Sequence, residues 1–409
     1  MVQETPVWLN ASYVQKVLRK AENDESIEVS DITVKPATAK GENYLSAMYR
    51  VTFKFLRISG GRKVGEEKSI IVKTTLEGTS LAELIEELEV FCTELSVMSV
   101  TLPKMNEVSS KASLPPLGAE CLYHQYEKPT HVVIEDLAPK GFTMADRENG
   151  LDLDHCLVAI RNLARFHAAS VALLEKDPDA LATYNKGLYR KNQTPLLINY
   201  LKGCVRSLAN VTSDWRELSP RISEKILKLS DVVFDKGCEA VQFRKDEFTV
   251  LNHGDLWINN ILFVYDERCQ PVNSIFVDFQ LCYRGSPAND ILYFIGTSPT
   301  DDVRVLHREL LLREYHTSLA IAMVNMNCST EVPSFENLQD VLKKRAFLEV
   351  VANMVSLPIV MIEKGADLDL SKIADSADES SHSGYHRKAY KEVMVRVLPL
   401  YDSLGLLDV

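Results

Sequence analysis

The eight cysteines of this chain are scattered along its 409 residues and form no CxxC pair. That spacing offers neither a zinc-ligand framework nor a disulfide scaffold, and it fits reduced thiols in a cytosolic protein. An excess of positive charge is missing too: 46 Lys and Arg stand against 57 Asp and Glu, a formal net charge of −11. Nucleic-acid binding, which wants clustered Lys and Arg, is thereby disfavoured, whereas a nucleotide held through a metal ion is not. The opening MVQETPVWLNASYVQKVLRK has no apolar signal core. No stretch approaches the roughly 18 apolar residues of a membrane span. The longest uncharged segment, Tyr315 to Thr330, carries His, Asn and Ser. The expectation is a cytoplasmic monomer with neither membrane nor nucleic acid among its partners.

The composition, 46% hydrophobic and 25% charged, is that of an ordinary globular protein. A chain of this length exceeds one compact core, so two lobes are expected. Thr5 as N-cap and Pro6 at the first helical position predict a helix with Tyr13, Val14, Val17 and Leu18 on one face. Strands are predicted around Ile32–Val34, Tyr49–Ile58, Ser69–Thr74, Cys121–Tyr126 and His131–Ile134, with Gly60-Gly61 as a turn. Leu81, Leu84, Leu88, Phe91 and Leu95 predict a helix over Ser80–Ser99. After Asp136 long helical patterns take over, beginning with LDLDHCLVAIRNLARFHAASVALLEK. The reading is an α+β chain: a small β-rich lobe over 1–136 and a larger helical lobe over 137–409. No internal repeat is visible, and the acidic GADLDLSKIADSADESSHSG at 365–384 reads as a mobile loop.

One stretch, LNHGDLWINNILFVYD at 251–266, gathers a histidine, an aspartate and two asparagines just ahead of an apolar run. ILFVY, the turn-rich DERCQP and NSIFV together predict a β-hairpin. With the turn centred near Arg268–Cys269, Asn260 falls opposite the end of the second strand, where Asp278 sits. Such hard oxygen ligands suit Mg²⁺. Asp255 lies on the loop leading in, free to reach a hydroxyl beside the metal. The resulting H-x-D-x-x-x-x-N with a later Asp, formed by His253, Asp255, Asn260 and Asp278, is the spacing of a kinase catalytic loop and its metal-binding aspartate. A polar turn capping a strand is the plainer explanation, and the full spacing with its hairpin outweighs it. Such a site also needs a strand lysine and a helix glutamate. Lys73 sits inside the apolar SIIVKTTL, where an unpaired ammonium is costly. Glu94 lies in EVFCTEL, with Glu87 and Glu89 as rivals on the same segment. AKGENYLSAMYRVTF supplies Gly41, Asn43, Tyr44 and Ser46 for a phosphate-covering turn, though it is neither GxGxxG nor a Walker A sequence.

Taken together, KGENYLSAMYRV, IIVK, HVVIEDLAPKGF, LARFHAASVALL, LNHGDLWINNILF and FVDFQLCYRGSPANDILYFIGTS resemble the insect ecdysteroid kinase-like family, in the wider group with choline kinases and aminoglycoside phosphotransferases. The resemblance runs from about residue 40 to 298. It implies a protein-kinase-like fold, use of ATP and Mg²⁺, and transfer of phosphate to a small-molecule hydroxyl. By position it implies Asp255 as catalytic base, Asn260 and Asp278 on Mg²⁺, and Lys73 with Glu94 as the ion pair on the phosphates. It further implies a hinge over Ile134–Leu137 (Ile134, Glu135, Leu137) against adenine, and Asp290 with His253 as structural support of the loop. Where the family has a tyrosine four residues after the glutamate, this chain has Met98. Trp257 is expected to pack under the loop, and His167 to be a hydrogen-bonded core histidine.

Asp278 and Asp290 are twelve residues apart and neither DFG nor APE occurs, which favours a small acceptor over a peptide. A non-catalytic ligand-binding pseudokinase is the alternative of another class, but Lys73, Asp255, Asn260 and Asp278 are all present. For the acceptor, Asp367, Asp369, Asp375, Asp378 and Glu379 suit a cation of the choline or aminoglycoside type. LAIAMVNMN and FLEVVANMVSLPIVMI, with Met323, Met326, Met354 and Met361, suit an apolar ligand. The expectation is a neutral, steroid-like alcohol between these helices and the catalytic loop.

Overall fold

A computed structural model describes residues 5–37, 46–75, 89–244, 247–363 and 383–409. Gly41, Asn43, Tyr44, Leu81, Leu84, Glu87, Leu88 and the five acidic residues from Asp367 to Glu379 named above lie outside the described residues.

The first 136 residues hold a five-stranded antiparallel sheet: β1 (Glu28–Pro36), β2 (Ser46–Ser59), β3 (Arg62–Thr75), β4 (Cys121–Gln125) and β5 (His131–Glu135), in the order β1-β2-β3-β5-β4. β2 and β3 are joined by Gly60 and Gly61, whose φ angles of +57° and +77° are what a two-residue hairpin turn matching the strand twist requires. Val51, Phe53 and Phe55 alternate onto one face, where they pack with Ile70, Val72 and the Val14, Val17 and Leu18 stripe of helix Ala11–Glu22. That helix starts later than the Thr5-Pro6 pair predicts. Asn10, in extended backbone, is the cap: its Oδ1 accepts from the Tyr13 N–H at 3.1 Å. Residues ahead of it turn instead (Leu9 N–H to Pro6 carbonyl, 3.0 Å) and lay Trp8 on His131, ring centres 4.6 Å apart. The helix predicted to end at Ser99 continues: Val90–Ser96 runs through a π-helical turn, Val97–Thr101, into Leu102–Lys111.

Beyond residue 136 helices dominate. Leu153–Lys176, capped by Asp152, packs against Arg308–Asn325 and is buried from Cys156 to Leu173 along its apolar face. By length and composition it could cross a membrane, a property the apolar-run reading missed; here its apolar residues form core. β6 (Thr143–Met144), β8 (Ile261–Tyr265) and β9 (Pro271–Phe276) form a small sheet in which β8 and β9 are the expected hairpin. Its loop is ordered by Asp266, whose Oδ1 accepts from the N–H groups of Arg268 and Gln270, both at 2.9 Å. β7 (Val250–Asn252) pairs with β10 (Tyr283–Gly285) just outside it.

Candidate active site

Lys73 is on β3, between β2 and β5, so it is not an edge-strand lysine. Ile70 through Thr74 are all buried, and at 3% exposure the Lys73 ammonium needs partners. It has two: Nζ lies 2.8 Å and 2.6 Å from the Glu94 oxygens and 2.8 Å from Asp278 Oδ1. Burial alone would lower the affinity of Lys73 for its proton, but the charges of Asp278 and Glu94 overcome it and hold the ammonium above its ordinary range. Two carboxylates share that one cation. Burial, joined by the Asp278 charge and opposed by Lys73, therefore pushes Glu94 up. Glu89 pairs with Lys186 instead, leaving Glu94 as the glutamate that Lys73 takes among the described residues. Met98 is buried in the turn that follows.

The hairpin register delivers Asn260 and Asp278 to the same place. Ile261 faces Phe276, and the Val277 N–H donates to the Asn260 carbonyl at 3.0 Å. Asp278 follows in left-handed backbone, φ 70° and ψ 64°, a conformation that costs on the order of 1–3 kcal/mol and clusters at functional sites. The Asn260 Nδ2 group donates to the Asp255 carbonyl at 2.8 Å and to Asp255 Oδ2 at 3.2 Å, which leaves its amide oxygen as the atom available to a metal. Among the described residues no three His, Cys, Asp or Glu side chains cluster as a self-sufficient metal site. One amide and one carboxylate oxygen fit a hard cation that draws its other ligands from phosphate and water.

Asp255 is tethered. Its Oδ1 accepts from the Tyr293 hydroxyl at 2.7 Å while Oδ2 faces Asn260. A carboxylate has about four acceptor positions, so a further hydroxyl can still be received. Although half-buried, the group feels the low polarity of its walls. Desolvation first, and the Asp278 charge second, push it up to about 7. Tyr293 lies three residues past Asp290 on helix Ala288–Thr297, and that spacing on one helix face was the available signal for it.

Asp290 braces the loop from beneath. Its oxygens accept from the backbone N–H groups of His253 (2.7 Å) and Gly254 (2.9 Å) and face His167 Nε2 at 3.1 Å. His167 is a fully buried core histidine, its Nδ1 2.7 Å from the Tyr315 hydroxyl. His253 Nε2 meets the Val277 carbonyl at 3.0 Å, tying the catalytic loop to the strand that carries Asp278; burial holds its imidazole below the usual range and hence neutral. Gly254 has φ +82°, and a Cβ there would lie 2.0 Å from the Leu281 carbonyl oxygen. Trp257 packs, half-buried, against the main core.

Of the stretch expected as hinge, Ile134 and Glu135 end β5 and Leu137 lies just past it. The backbones of Ile134 and Glu135 are committed to the sheet: Ile134 pairs with both Ile71 and Cys121, and the Glu135 N–H donates to the Glu120 carbonyl at 2.9 Å. What this region offers is an apolar floor, Leu137 with Ala119 and Ile275, flanked by the Ile134 side chain. Ser46, buried, opens β2 opposite Thr75.

Beside the loop lies a cavity of about 460 Å³ whose walls include Gly254 and Tyr293. Leu348, Val351 and Val355 supply aliphatic surface and Tyr189 and Tyr283 aromatic surface. The stretch 347–362 thus lines this cavity in part, whereas 319–327 does not. Met323, Met326 and Met354 are buried in the core, where their flexible side chains fill space between helices.

No curated protein matches the chain. Among solved structures it is similar to the choline kinase LicA from Streptococcus pneumoniae, with 11% identity and a TM-score of 0.38 over 95% of this chain and 99% of that one. It is also similar to the amicoumacin kinase hAmiN, solved in complex with AMP-PNP, Ca²⁺ and Ami, with 14% identity and a TM-score of 0.39 over 90% of this chain and 93% of that one. The model of the ecdysteroid kinase-like family matches residues 40–327, a span that holds Lys73, Glu94, Asp255, Asn260, Asp278 and Asp290. The chain belongs to the ecdysteroid kinase-like family and is a small-molecule phosphotransferase acting on hydroxyl groups.

Proposed function

We propose that this enzyme moves the terminal phosphoryl group of ATP, with Mg²⁺, onto a hydroxyl of an apolar, steroid-sized alcohol. The observation that carries the reading is Lys73 held between Glu94 and Asp278, with the Asp255–Asn260 pair one hairpin register away. Lys73 binds phosphate oxygens, and Glu94 keeps it aimed. Asn260 and Asp278 hold the metal, which when bound neutralises charge on the phosphate oxygens. Leu137, Ala119 and Ile275 receive the adenine ring. Asp255 accepts the proton of the acceptor hydroxyl as its oxygen bonds to the γ-phosphorus and the bond to the β-phosphate oxygen breaks. A positioned base of this kind contributes about 10²–10⁴-fold.

The cavity favours an apolar acceptor over a cationic one. Its volume falls in the range of small-molecule pockets, and a rigid ring system could bury much of its surface there at about 25 cal/mol per Å². The one carboxylate among its lining residues, Asp290, is already spent on two backbone N–H groups and His167. Among the described lining residues, a choline-like ammonium would find no free carboxylate. Competitive phosphorylation of an ecdysteroid-like alcohol against choline and an aminoglycoside tests this, and preference for either cation would overturn it.

A further inference from the structure

Three cations line the acceptor cavity: Arg190, Lys191 and Arg284. In a chain with eleven more acidic than basic residues, cations on a cavity wall should find carboxylates readily. Arg308 does, bidentate on Glu349 at 2.8 and 2.7 Å, and Arg345 does on Glu247. Arg190, Lys191 and Arg284 form no ion pair among the described residues. Lys191 is exposed and well hydrated, but Arg190 and Arg284 are half-buried, and the Nε–H of each is buried without an acceptor. Leaving such a donor unmade is unfavourable unless water or a ligand completes it, and Arg190 and Arg284, unlike Arg345, have no carboxylate beside them among the described residues. Arg284 is also held in place. Its guanidinium lies 5.4 Å from the centre of the Phe243 ring, and its backbone N–H donates to the Tyr184 carbonyl at 2.7 Å. A guanidinium stacked on an aromatic face presents its fork to a planar or tetrahedral oxyanion.

Where the sequence predicts a neutral alcohol, the geometry points to an acidic one. We infer that the acceptor carries, besides its hydroxyl, an oxyanion of the carboxylate or sulfate type on an apolar ring body, and that Arg284, seconded by Arg190 and Lys191, receives it. The inference rests on reading this cavity as the acceptor site. Tyr189, Tyr283, Leu348 and Val351 take the ring body. The reacting hydroxyl reaches Asp255 past Tyr293, which touches both the cavity and that carboxylate.

Two matched pairs of probes test it: cholate with its methyl ester, and 4-coumarate with its methyl ester, each pair differing in charge at constant ring body. Binding is measured by calorimetry on the full chain, and turnover with Mg-ATP is followed separately. In at least one pair the acid should bind about five- to tenfold tighter than the ester, the scale of a partly solvated ion pair with one added charge-assisted hydrogen bond. Arg284→Gln should collapse that ratio toward one, and Arg190→Gln should do so in part, which keeps the test open if one variant folds poorly. Acid preference that survives in both variants, or acids that bind no better than their esters or not at all, overturns the inference. Esters phosphorylated as well as acids would do so while leaving the phosphotransfer reading intact. Acids bound through Arg284 but never phosphorylated would uphold the oxyanion site and overturn the reading of the cavity as an acceptor site.

Discussion

Tyr293 donates its hydroxyl to Asp255 Oδ1 across 2.7 Å, and burial raises the tyrosine well above its ordinary range, so it remains the proton-bearing partner. The contact aims the carboxylate that is proposed as base, and the same side chain lines the cavity proposed for the acceptor. Tyr293→Phe keeps the ring and removes the tether. Hydrogen bonds to charged groups are worth about 1.5–3 kcal/mol. Turnover should fall by about ten- to a hundredfold with the KM for ATP unchanged, and steady-state kinetics showing no loss in kcat would reject the positioning role.

Asp255→Asn should lower turnover by about 10²–10⁴-fold, since an amide cannot take the hydroxyl proton. Nucleotide binding should persist, because Lys73, Asn260 and Asp278 are untouched. Full activity in this variant would falsify the assignment of the base.

Lys73→Met should reduce both stability and turnover: it leaves Glu94, 4% exposed, facing Asp278 without the cation between them. Breaking a buried pair by removing one partner costs about 3–5 kcal/mol, less where one member is partly exposed, as Asp278 is. Adding Glu94→Gln should restore much of the melting temperature and none of the activity. If the double variant melts no higher than the single one, the electrostatic account of this cluster fails.

Gly254→Ala should destabilise the catalytic loop more than a typical surface change. The new Cβ would sit 2.0 Å from the Leu281 carbonyl, at a φ of +82° that alanine disfavours. Since Gly254 carries one of the N–H groups held by Asp290, strain there moves Asp255 as well. A melting temperature and turnover equal to wild type would show that the loop yields freely.

Those parts of the site that depend on local pattern were legible beforehand. A lysine inside SIIVKTTL signals a buried ammonium in need of carboxylates, and hairpin register alone puts Asn260 beside Asp278. Features that depend on competition or on distant chain were not. Asn10 outdid Thr5 as helix cap because residues 6–9 were recruited to a turn that seats Trp8 on His131. Ile134, expected in the hinge, proves to lie within the sheet between Ile71 and Cys121, a placement no local motif reveals. The cavity draws its walls from five segments between Leu181 and Ser356, so no window of sequence contains it. Methionines, flexible enough for either role, went to the core.

Asp278 combines two properties that substitution can separate: a negative charge proposed as metal ligand, and a left-handed backbone with φ 70°. Asp278→Ala removes the charge and adds strain, whereas Asp278→Gly removes the charge and relieves it. If the charge matters, both variants should lose Mg-dependent ATP affinity alike, by roughly tenfold or more, as expected for a charged ligand lost from a hard-cation site. Affinity measured in excess chelator should change little or improve, because one negative charge near the phosphates has gone. Stability should divide the two: the alanine variant melts below the glycine variant by what the strained backbone costs. Calorimetry with and without Mg²⁺, paired with thermal melts, reads both effects. Unchanged Mg-ATP affinity in the glycine variant would show that Asp278 serves only to hold Lys73.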